Sequence, residues 1–433
     1  MSGTARTKRK AKSERASKTK RLAVLGPGLI AGASDDDPSG IATYSQAGAQ
    51  LGFSVSWTLL FSYPLMAAIQ EISARIGRTT GKGIAANIRA HYPNGVLQLI
   101  VVLLLVANTI NIGADLGAMG DALGLLVGGP PLLYVLMFAA LCTGLEIFVP
   151  YKSYAPVLRW LTIALFSYFG TALFVKIPWG EVARGFFVPT FAADAGFWAT
   201  VVAVLGTTIS PYVFFWQASQ EVEETQRVAE RKPLVQAPEQ GPNALERIRL
   251  DTLIGMGLAD LVALAIMITT AATLHAKGVT DIESSTQAAE ALRPVAGPFA
   301  FAIFTLGIVG TGLLAVPVLA GSAAYALAEA RRWPQGLARK PRQAKAFYAA
   351  IALATLLGAL INFSPINPIK ALYWSAVING VVAVPVLVMM MVMAANRKVM
   401  GDFVVRGPAW VIGWVATAVM AAAIVGMGIT AFM

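Results

Sequence analysis

The sequence predicts an all-α membrane protein made of two inverted repeats of five helices each, followed by an eleventh span. Three observations support this fold class. Of the 433 residues, 56% are hydrophobic and only 13% are charged, whereas a soluble protein carries about 25% charged residues. Windows of about 20 residues identify eleven apolar spans. The first and sixth spans are interrupted, which is the pattern of inverted-repeat transporters with a binding site at the membrane midplane.

These spans divide the chain into a basic tail, residues 1–22, and a single transmembrane domain, residues 23–433. Within the domain we expect the first repeat at about 23–175, the second at about 194–394 and the extra span at about 409–432. The predicted spans are 23–50 (broken), 54–76, 95–122, 131–149, 155–175, 194–220 (interrupted), 251–276, 297–327, 345–363, 369–394 and 409–432.

The distribution of basic residues predicts the orientation of the spans. With a cytoplasmic N-terminus, 29 of the 34 Lys and Arg residues fall on inside segments, as the positive-inside rule requires. The five on outside segments are Lys176, Arg184, Lys277, Arg293 and Lys370. We therefore expect a protein of the bacterial inner membrane with its C-terminus outside, in contact with lipid and not with nucleic acid. The longest inside loop, Glu221 to Arg249, is charged and proline-containing, which predicts a mobile connector.

The first break, Gly32 to Gly40, places three adjacent carboxylates and a proline inside an apolar span. Charge at that depth costs at least about 2.5–3.5 kcal/mol per residue unless it faces water, protein or an ion. Proline and glycine also free backbone carbonyls from the helix. Carboxylates beside free carbonyls are the outline of a cation site, although Asp35 or Asp36 could instead cap the half-helix that begins near Ile41.

The second break, Gly206 to Tyr212, interrupts the sixth span with the sequence GTTISPY. A proline by itself often does no more than kink a membrane helix. The spacing of five spans between the two breaks favours a different interpretation, because corresponding broken helices in two repeats form the binding site of such transporters.

The run GPGLIAGASDDDPSGIATYSQAGAQLGF resembles the start of the Nramp family of divalent metal transporters, which has an Asp-Pro-Gly-Asn break followed by Gln-Ala-Gly-Ala. The similarity continues through Asp115 and through GIVGTGLLAVPVLAGSAAYALAEA, Gly307 to Ala330. This resemblance implies a LeuT-type fold with discontinuous helices 1 and 6. It also implies a transporter and not an enzyme, with no cofactor besides the transported ion.

The resemblance assigns the metal ligands by position. The family aspartate corresponds to Asp37, and the backbone carbonyl donors correspond to Ser34 and Thr207. Gly40 stands where an asparagine ligand is usual, which removes a ligand and opens space. Ser210 stands where a methionine sulfur is usual. The residues expected to hold water around the ion are Asp35, Asp36, Tyr212 and Asn379.

The missing sulfur changes the expected ion. Thioether ligands favour soft transition metals, whereas carboxylate, carbonyl and water ligands suit Mg²⁺, Ca²⁺ and Mn²⁺. Mg²⁺ also keeps several of its waters and uses only one or two carboxylates. We therefore predict Mg²⁺ first and Mn²⁺ second, as in the magnesium-transporting branch related to the Nramp family.

Proton coupling is the next expectation. In the family, acidic residues of the third helix and a histidine of the sixth are tied to proton movement. Here Asp115 remains, but Asn108 and Ala118 stand at acidic positions and Tyr212 replaces the histidine. A relay needs a chain of titratable groups, so we predict weak or absent coupling. Asp115 is then either a coupling residue or a structural residue paired with a polar or basic neighbour.

Three alternatives stay open at this point. Proton-coupled uptake of Mn²⁺ or Fe²⁺ fits the fold, and the absence of the methionine argues against it. Transport of an organic substrate such as an amino acid would place an anionic group near three aspartates, which would repel it. An enzyme or a metal sensor finds no support, because the sequence has neither a nucleophile–base constellation nor a sensor domain.

Overall fold

The computed structural model describes residues 27–149, 153 and 162–432, and over these residues the secondary structure is helical, with no strand. The predicted basic tail and parts of the first and fifth predicted spans lie outside the described residues. The α-helices are α1 Pro27–Asp35, α2 Pro38–Leu51, α3 Trp57–Thr80, α4 Ile84–His91, α5 Asn94–Val127, α6 Pro131–Phe148, α7 Ser167–Phe174, α8 Trp179–Phe187, α9 Ala195–Thr208, α10 Pro211–Arg227, α11 Gly241–Thr273, α12 Ser285–Glu290, α13 Arg293–Ala296, α14 Ala300–Arg331, α15 Lys345–Ile361, α16 Pro368–Ala395, α17 Arg397–Met400 and α18 Pro408–Ala431. Short 3₁₀ turns lie at Gly52–Val55, Thr162–Phe166, Pro238–Gln240, His275–Lys277, Gly297–Phe299, Pro341–Gln343 and Gly401–Phe403.

The helices lie where the apolar spans were predicted. The broken first span is the pair α1 and α2, and the interrupted sixth span is the pair α9 and α10. Among the described residues, seven helical stretches are long and apolar enough to cross a membrane. An eighth is obtained when α2 and α3, bent by 109° at their connection, are counted as one span, and α15 is a shorter apolar helix. The boundaries of the two repeats stay a prediction.

Glycines let the backbones of the two broken helices come into direct contact with the backbones of neighbouring helices. A Cβ added to Gly32 of α1 would lie 2.2 Å from the carbonyl oxygen of Gly255 in α11. A Cβ added to Gly206 of α9 would lie 2.1 Å from the carbonyl oxygen of Ala376 in α16. Such contacts require glycine, since nothing larger than hydrogen fits there. Each broken helix is thereby held against a continuous helix close to its break.

The loop between α10 and α11 differs from the mobile connector expected over Glu221 to Arg249. Both of its ends are helical, which leaves residues 228–240 as the connector. Its backbone N–H groups at Leu234 and Val235 donate to the carbonyl oxygens of Arg78 and Thr79, at 3.3 and 3.2 Å. The Arg78 guanidinium in turn donates to the side chain of Gln240 at 2.8 Å. The expectation was wrong because the last turn of α3 supplies free carbonyls that anchor this segment.

Candidate metal site

The first break is organised by Asp37. This residue has an extended backbone between α1 and α2, and its Oδ1 accepts a hydrogen bond from the Gly40 N–H at 2.7 Å. Asp37 is therefore the N-cap of α2, and Pro38 occupies the first helical position, where no N–H is needed. The expectation that Asp35 or Asp36 is the cap was wrong, because the helix begins three residues before Ile41.

The second oxygen of Asp37 faces the other break. Tyr212 of α10 donates its hydroxyl to Asp37 Oδ2 at 3.2 Å, and the Asn111 side-chain amide of α5 donates to the same oxygen at 3.4 Å. The Tyr212 hydroxyl also lies 2.9 Å from the Ser34 carbonyl oxygen. Asp37 is only 2% exposed. A carboxylate, a carbonyl and a phenolic oxygen thus converge between the two broken helices.

The second break turns the Ser210 side chain toward the end of α9. Its hydroxyl lies 2.9 Å from the Gly206 carbonyl oxygen and 2.8 Å from the Thr207 carbonyl oxygen. Two predicted ligands, Ser210 and the Thr207 carbonyl, are therefore hydrogen-bonded to each other. A carbonyl and a hydroxyl each keep a further lone pair in this arrangement, so both can still accept a cation.

Gly40 lies against the second break, although it leaves less space than the sequence suggested. A Cβ built on Gly40 would lie 3.2 Å from Thr207 Oγ1, 3.3 Å from the Asp35 carbonyl oxygen and 3.4 Å from the Tyr44 ring. The expectation that this glycine opens space was wrong, since neighbouring atoms fill the volume beyond it. The close contact does bring the Thr207 hydroxyl beside the first break.

A polar network fixes Asn111, which sequence reasoning missed as a site residue. The Ser375 hydroxyl of α16 lies 2.7 Å from Asn111 Oδ1, and the Ser39 hydroxyl of α2 lies 3.2 Å from that of Ser375. Three helices thereby orient the amide that contacts Asp37. The signal was an intramembrane asparagine one helical turn from Asp115. Asn379, expected near the ion, forms no hydrogen bond through its buried Oδ1 with any described residue.

Asp115 is fully buried in α5, near Ser39 and Asp37. Its carboxylate lies toward the Ser39 backbone N–H, and no side chain of the described residues donates a hydrogen bond to it. None of the ion pairs among the described residues involves Asp115, and both the coupling role and the structural role of Asp115 stay predictions. An unpaired carboxylate at this depth is typical of a functional group.

The donor set contains only oxygen. Within the described ranges, no three His, Cys, Asp or Glu side chains come together to hold a metal ion. A cation at the breaks would thus rest on the Asp37 carboxylate, on the carbonyls of Ser34 and Thr207, on hydroxyl oxygens and on water. Such ligands suit hard ions such as Mn²⁺ and Mg²⁺.

Comparison of the sequence with known proteins identifies its family. The profile described as "Natural resistance-associated macrophage protein-like", Nramp, matches residues 28–430. The chain belongs to the Nramp family. Nramp proteins are metal ion transporters, so this chain is a membrane transporter of divalent metal cations and not an enzyme. The resemblance seen in the sequence is confirmed.

Relatives and solved structures agree with the family. The chain is 29% identical, over 94% of both chains, to the divalent metal cation transporter MntH of Klebsiella pneumoniae strain 342. The manganese transporter of Eremococcus coleocola superposes with a TM-score of 0.76 at 15% identity, covering 94% of this chain and 86% of that one. MhsT in complex with L-phenylalanine superposes with a TM-score of 0.59 at 12% identity, covering 93% and 98%. The predicted LeuT-type fold is confirmed.

A vestibule of this Nramp chain begins one helical turn beyond Ser39. It has a volume of about 560 Å³, and its wall includes Gln46, Asp281 and Lys370. The loop before α12 closes one side, because Gln46 donates to the Thr280 carbonyl oxygen at 3.1 Å and accepts from the Ile282 N–H at 2.9 Å. Asp281 adds negative charge at the entrance but pairs with Lys370 at 3.4 Å.

On the side of the site away from the vestibule, hydrogen-bonded side chains lie between the breaks and the C-terminal end of α10. Gln70 of α3 donates to the Val213 carbonyl oxygen at 3.1 Å and to the side chain of Gln217. Gln217 donates to the Thr252 hydroxyl of α11 at 3.1 Å. The site residues themselves are at most 6% exposed. In this conformation the candidate site is occluded, below a vestibule on the side of α2.

Proposed function

We propose that this Nramp transporter carries a hard divalent cation, Mn²⁺ in preference and Mg²⁺ as a competitor, by alternating access around Asp37. One observation carries the proposal. The buried carboxylate of Asp37 is fixed at the break of one helix, and its second oxygen is turned to the break of the other. Charged side chains at this depth mark ion pathways, and broken helices of two repeats supply the carbonyls of such sites.

The order of the two ions reverses the expectation from the sequence. The oxygen ligands suit Mn²⁺ and Mg²⁺ alike, so the donor set does not separate them. The MntH protein and the Eremococcus coleocola transporter reported above are named for divalent metal cations and for manganese, and neither name supports specificity for Mg²⁺. Mn²⁺ is therefore the ion that we propose first.

Coupling to protons is the second candidate for the mechanism. Asp115 favours it, because its buried carboxylate has no side-chain hydrogen-bond partner among the described residues and lies near Asp37. A group in this position can take up a proton when the ion site is empty and release it when a cation arrives. Replacement of the histidine by Tyr212 does not interrupt this proton exchange, because Asp115 itself lies near Asp37.

The test is ion influx into proteoliposomes that contain the purified full chain. We expect Mn²⁺ influx that Asp37→Asn abolishes and that an excess of Mg²⁺ reduces. A pH-sensitive dye in the lumen reports acidification if protons accompany the metal. Influx of Mn²⁺ at the wild-type rate in Asp37→Asn would contradict the proposal, as would rapid Mg²⁺ influx that Mn²⁺ cannot inhibit.

We also propose the orientation predicted from the basic residues, with the N-terminus in the cytoplasm of a bacterial cell and the C-terminus outside the inner membrane. Cys142 is buried, so a membrane-impermeant thiol reagent should leave the wild-type chain unlabelled. In intact cells, Thr430→Cys should be labelled and Ser2→Cys should not. The opposite result would reverse the orientation.

A further inference from the structure

Asp260 is a carboxylate of α11 that the site at the two breaks does not use. It lies inside a helix long and apolar enough to cross a membrane. Its Oδ1 is buried and has no hydrogen-bond partner among the described residues. An acidic side chain at such depth is costly unless another charge compensates it, so its surroundings decide its role.

The packing of α1 on α11 places Asp260 opposite the first break. The Gly28 N–H of α1 donates to Asp251 Oδ2 at 2.8 Å. One turn further, Gly32 touches the backbone of Gly255. Both helices rise about 1.5 Å per residue, so the same register brings Asp35, the last residue of α1, level with residue 258. Asp36 follows directly at the break, close to the level of Asp260.

Asp36 is the acidic residue on the α1 side of this interface that lies within electrostatic range of Asp260. It is 6% exposed, and its Oδ1 is also buried with no hydrogen-bond partner among the described residues. The charges of the two residues interact. No Lys or Arg of the described residues forms an ion pair with either of them. Two neighbouring carboxylates in an apolar layer repel each other unless a cation lies near both of them.

The other groups around this pair do not compensate it. Asp35 adds a further negative charge close by. The hydroxyl of Tyr63, on α3, donates to the Leu253 carbonyl oxygen at 3.2 Å, so its proton is already engaged. Tyr44 of α2 lies within electrostatic range of the three aspartates and carries no positive charge. The local field therefore favours a cation.

We infer that Asp36 and Asp260 form a second divalent-cation site, between α1 and α11 and next to the transport site at Asp37. A small hard cation needs only one or two carboxylates when it keeps part of its water shell. This agrees with the absence, within the described residues, of a cluster of three acidic ligands. The ion is taken to be Mn²⁺, and that choice rests on the proposed function.

The stoichiometry of Mn²⁺ binding tests the second site without any transport measurement. Equilibrium dialysis with the full chain in lipid nanodiscs should give two Mn²⁺ ions per wild-type chain. Asp260→Asn and Asp36→Asn should each reduce the number to one, and the dipolar broadening between two neighbouring ions in the EPR spectrum should disappear. Glu146→Gln is the matched control, because Glu146 is another buried membrane carboxylate without a hydrogen-bond partner among the described residues, on α6.

The outcomes separate this inference from the proposed function. One ion in the wild type, or two ions retained in Asp260→Asn, would overturn the second site. A loss of one ion in Glu146→Gln as well would also overturn it, because removing any buried charge would then have the same effect. If Asp37→Asn keeps two ions while Asp260→Asn keeps one, the second site stands and the role given to Asp37 fails.

Discussion

Two substitutions of Asp37 separate its structural role from its role toward the ion. Asp37→Asn keeps an oxygen that can accept from the Gly40 N–H, which now lies 2.7 Å from Oδ1, and asparagine is as good an N-cap as aspartate. Asp37→Ala removes that acceptor. Both substitutions remove the carboxylate charge, and only the alanine variant removes the cap.

The magnitudes follow from these contacts. Loss of an N-cap costs about 1 kcal/mol of stability, so the metal-free alanine variant should unfold more easily than the wild type by about that amount. Mutation of a residue that only orients a metal ligand weakens metal affinity by about 10–100-fold. Loss of the carboxylate ligand itself should therefore weaken Mn²⁺ binding by more than about 100-fold, or about 2.7 kcal/mol.

The assay combines metal-free unfolding in nanodiscs with Mn²⁺ titration. The titration uses an Asp260→Asn background, so that only the site at the breaks contributes. We expect Asp37→Asn to unfold like its parent and both variants to lose Mn²⁺ binding. Wild-type affinity in Asp37→Asn would refute the assignment of Asp37 as a ligand. Equal destabilisation by asparagine and alanine would refute the assignment of the cap.

Three further predictions concern selectivity, packing and coupling. Ser210→Met should raise the Cd²⁺ flux relative to the Mg²⁺ flux at least several-fold, because a thioether favours soft ions. Ser210→Ala, which lacks the sulfur, should not change this ratio. Equal selectivity in the two variants would exclude Ser210 from the ion site. Gly206→Ala should lower the free energy of unfolding by more than about 1–3 kcal/mol through overpacking, since its Cβ would lie 2.1 Å from a backbone oxygen. The thermal stability of the detergent-solubilised protein measures this loss. Gly144→Ala, with no atom within 4 Å of the new Cβ, is the control, and equal stability of the two variants would contradict the packing. Asp115→Asn should keep Mn²⁺ binding and lose luminal acidification, whereas acidification at the wild-type ratio would exclude Asp115 as the coupling residue.

Much of the architecture follows from local sequence. Apolar spans of about 20 residues predict the helices directly. Each break is also a local signal, since Pro38 and Pro211 begin a helix and cannot continue the one before. The candidate ligands Asp37, Ser34 and Thr207 follow from these breaks together with the family resemblance. They do lie at the two breaks.

Other features depend on how distant helices pack. The role of Asn111 could not be predicted, because Ser375, which orients it, is 264 residues away in the chain. The pairing of Asp36 with Asp260 depends on the register of α1 on α11, which glycine contacts set. The volume at Gly40 was misjudged for the same reason, since the Thr207 hydroxyl that fills it belongs to the other break. Tertiary proximity of this kind leaves no local pattern.

Anomalous X-ray scattering from crystals soaked in Mn²⁺ locates the ion itself and thereby tests whether Asp37 binds it. We predict an anomalous peak between the two breaks, within coordination distance of Asp37 and facing the carbonyls of Ser34 and Thr207. The same peak should be absent from crystals of Asp37→Asn. A peak that persists in that variant, or Mn²⁺ density only at sites remote from Asp37, would show that Asp37 is not the ion ligand.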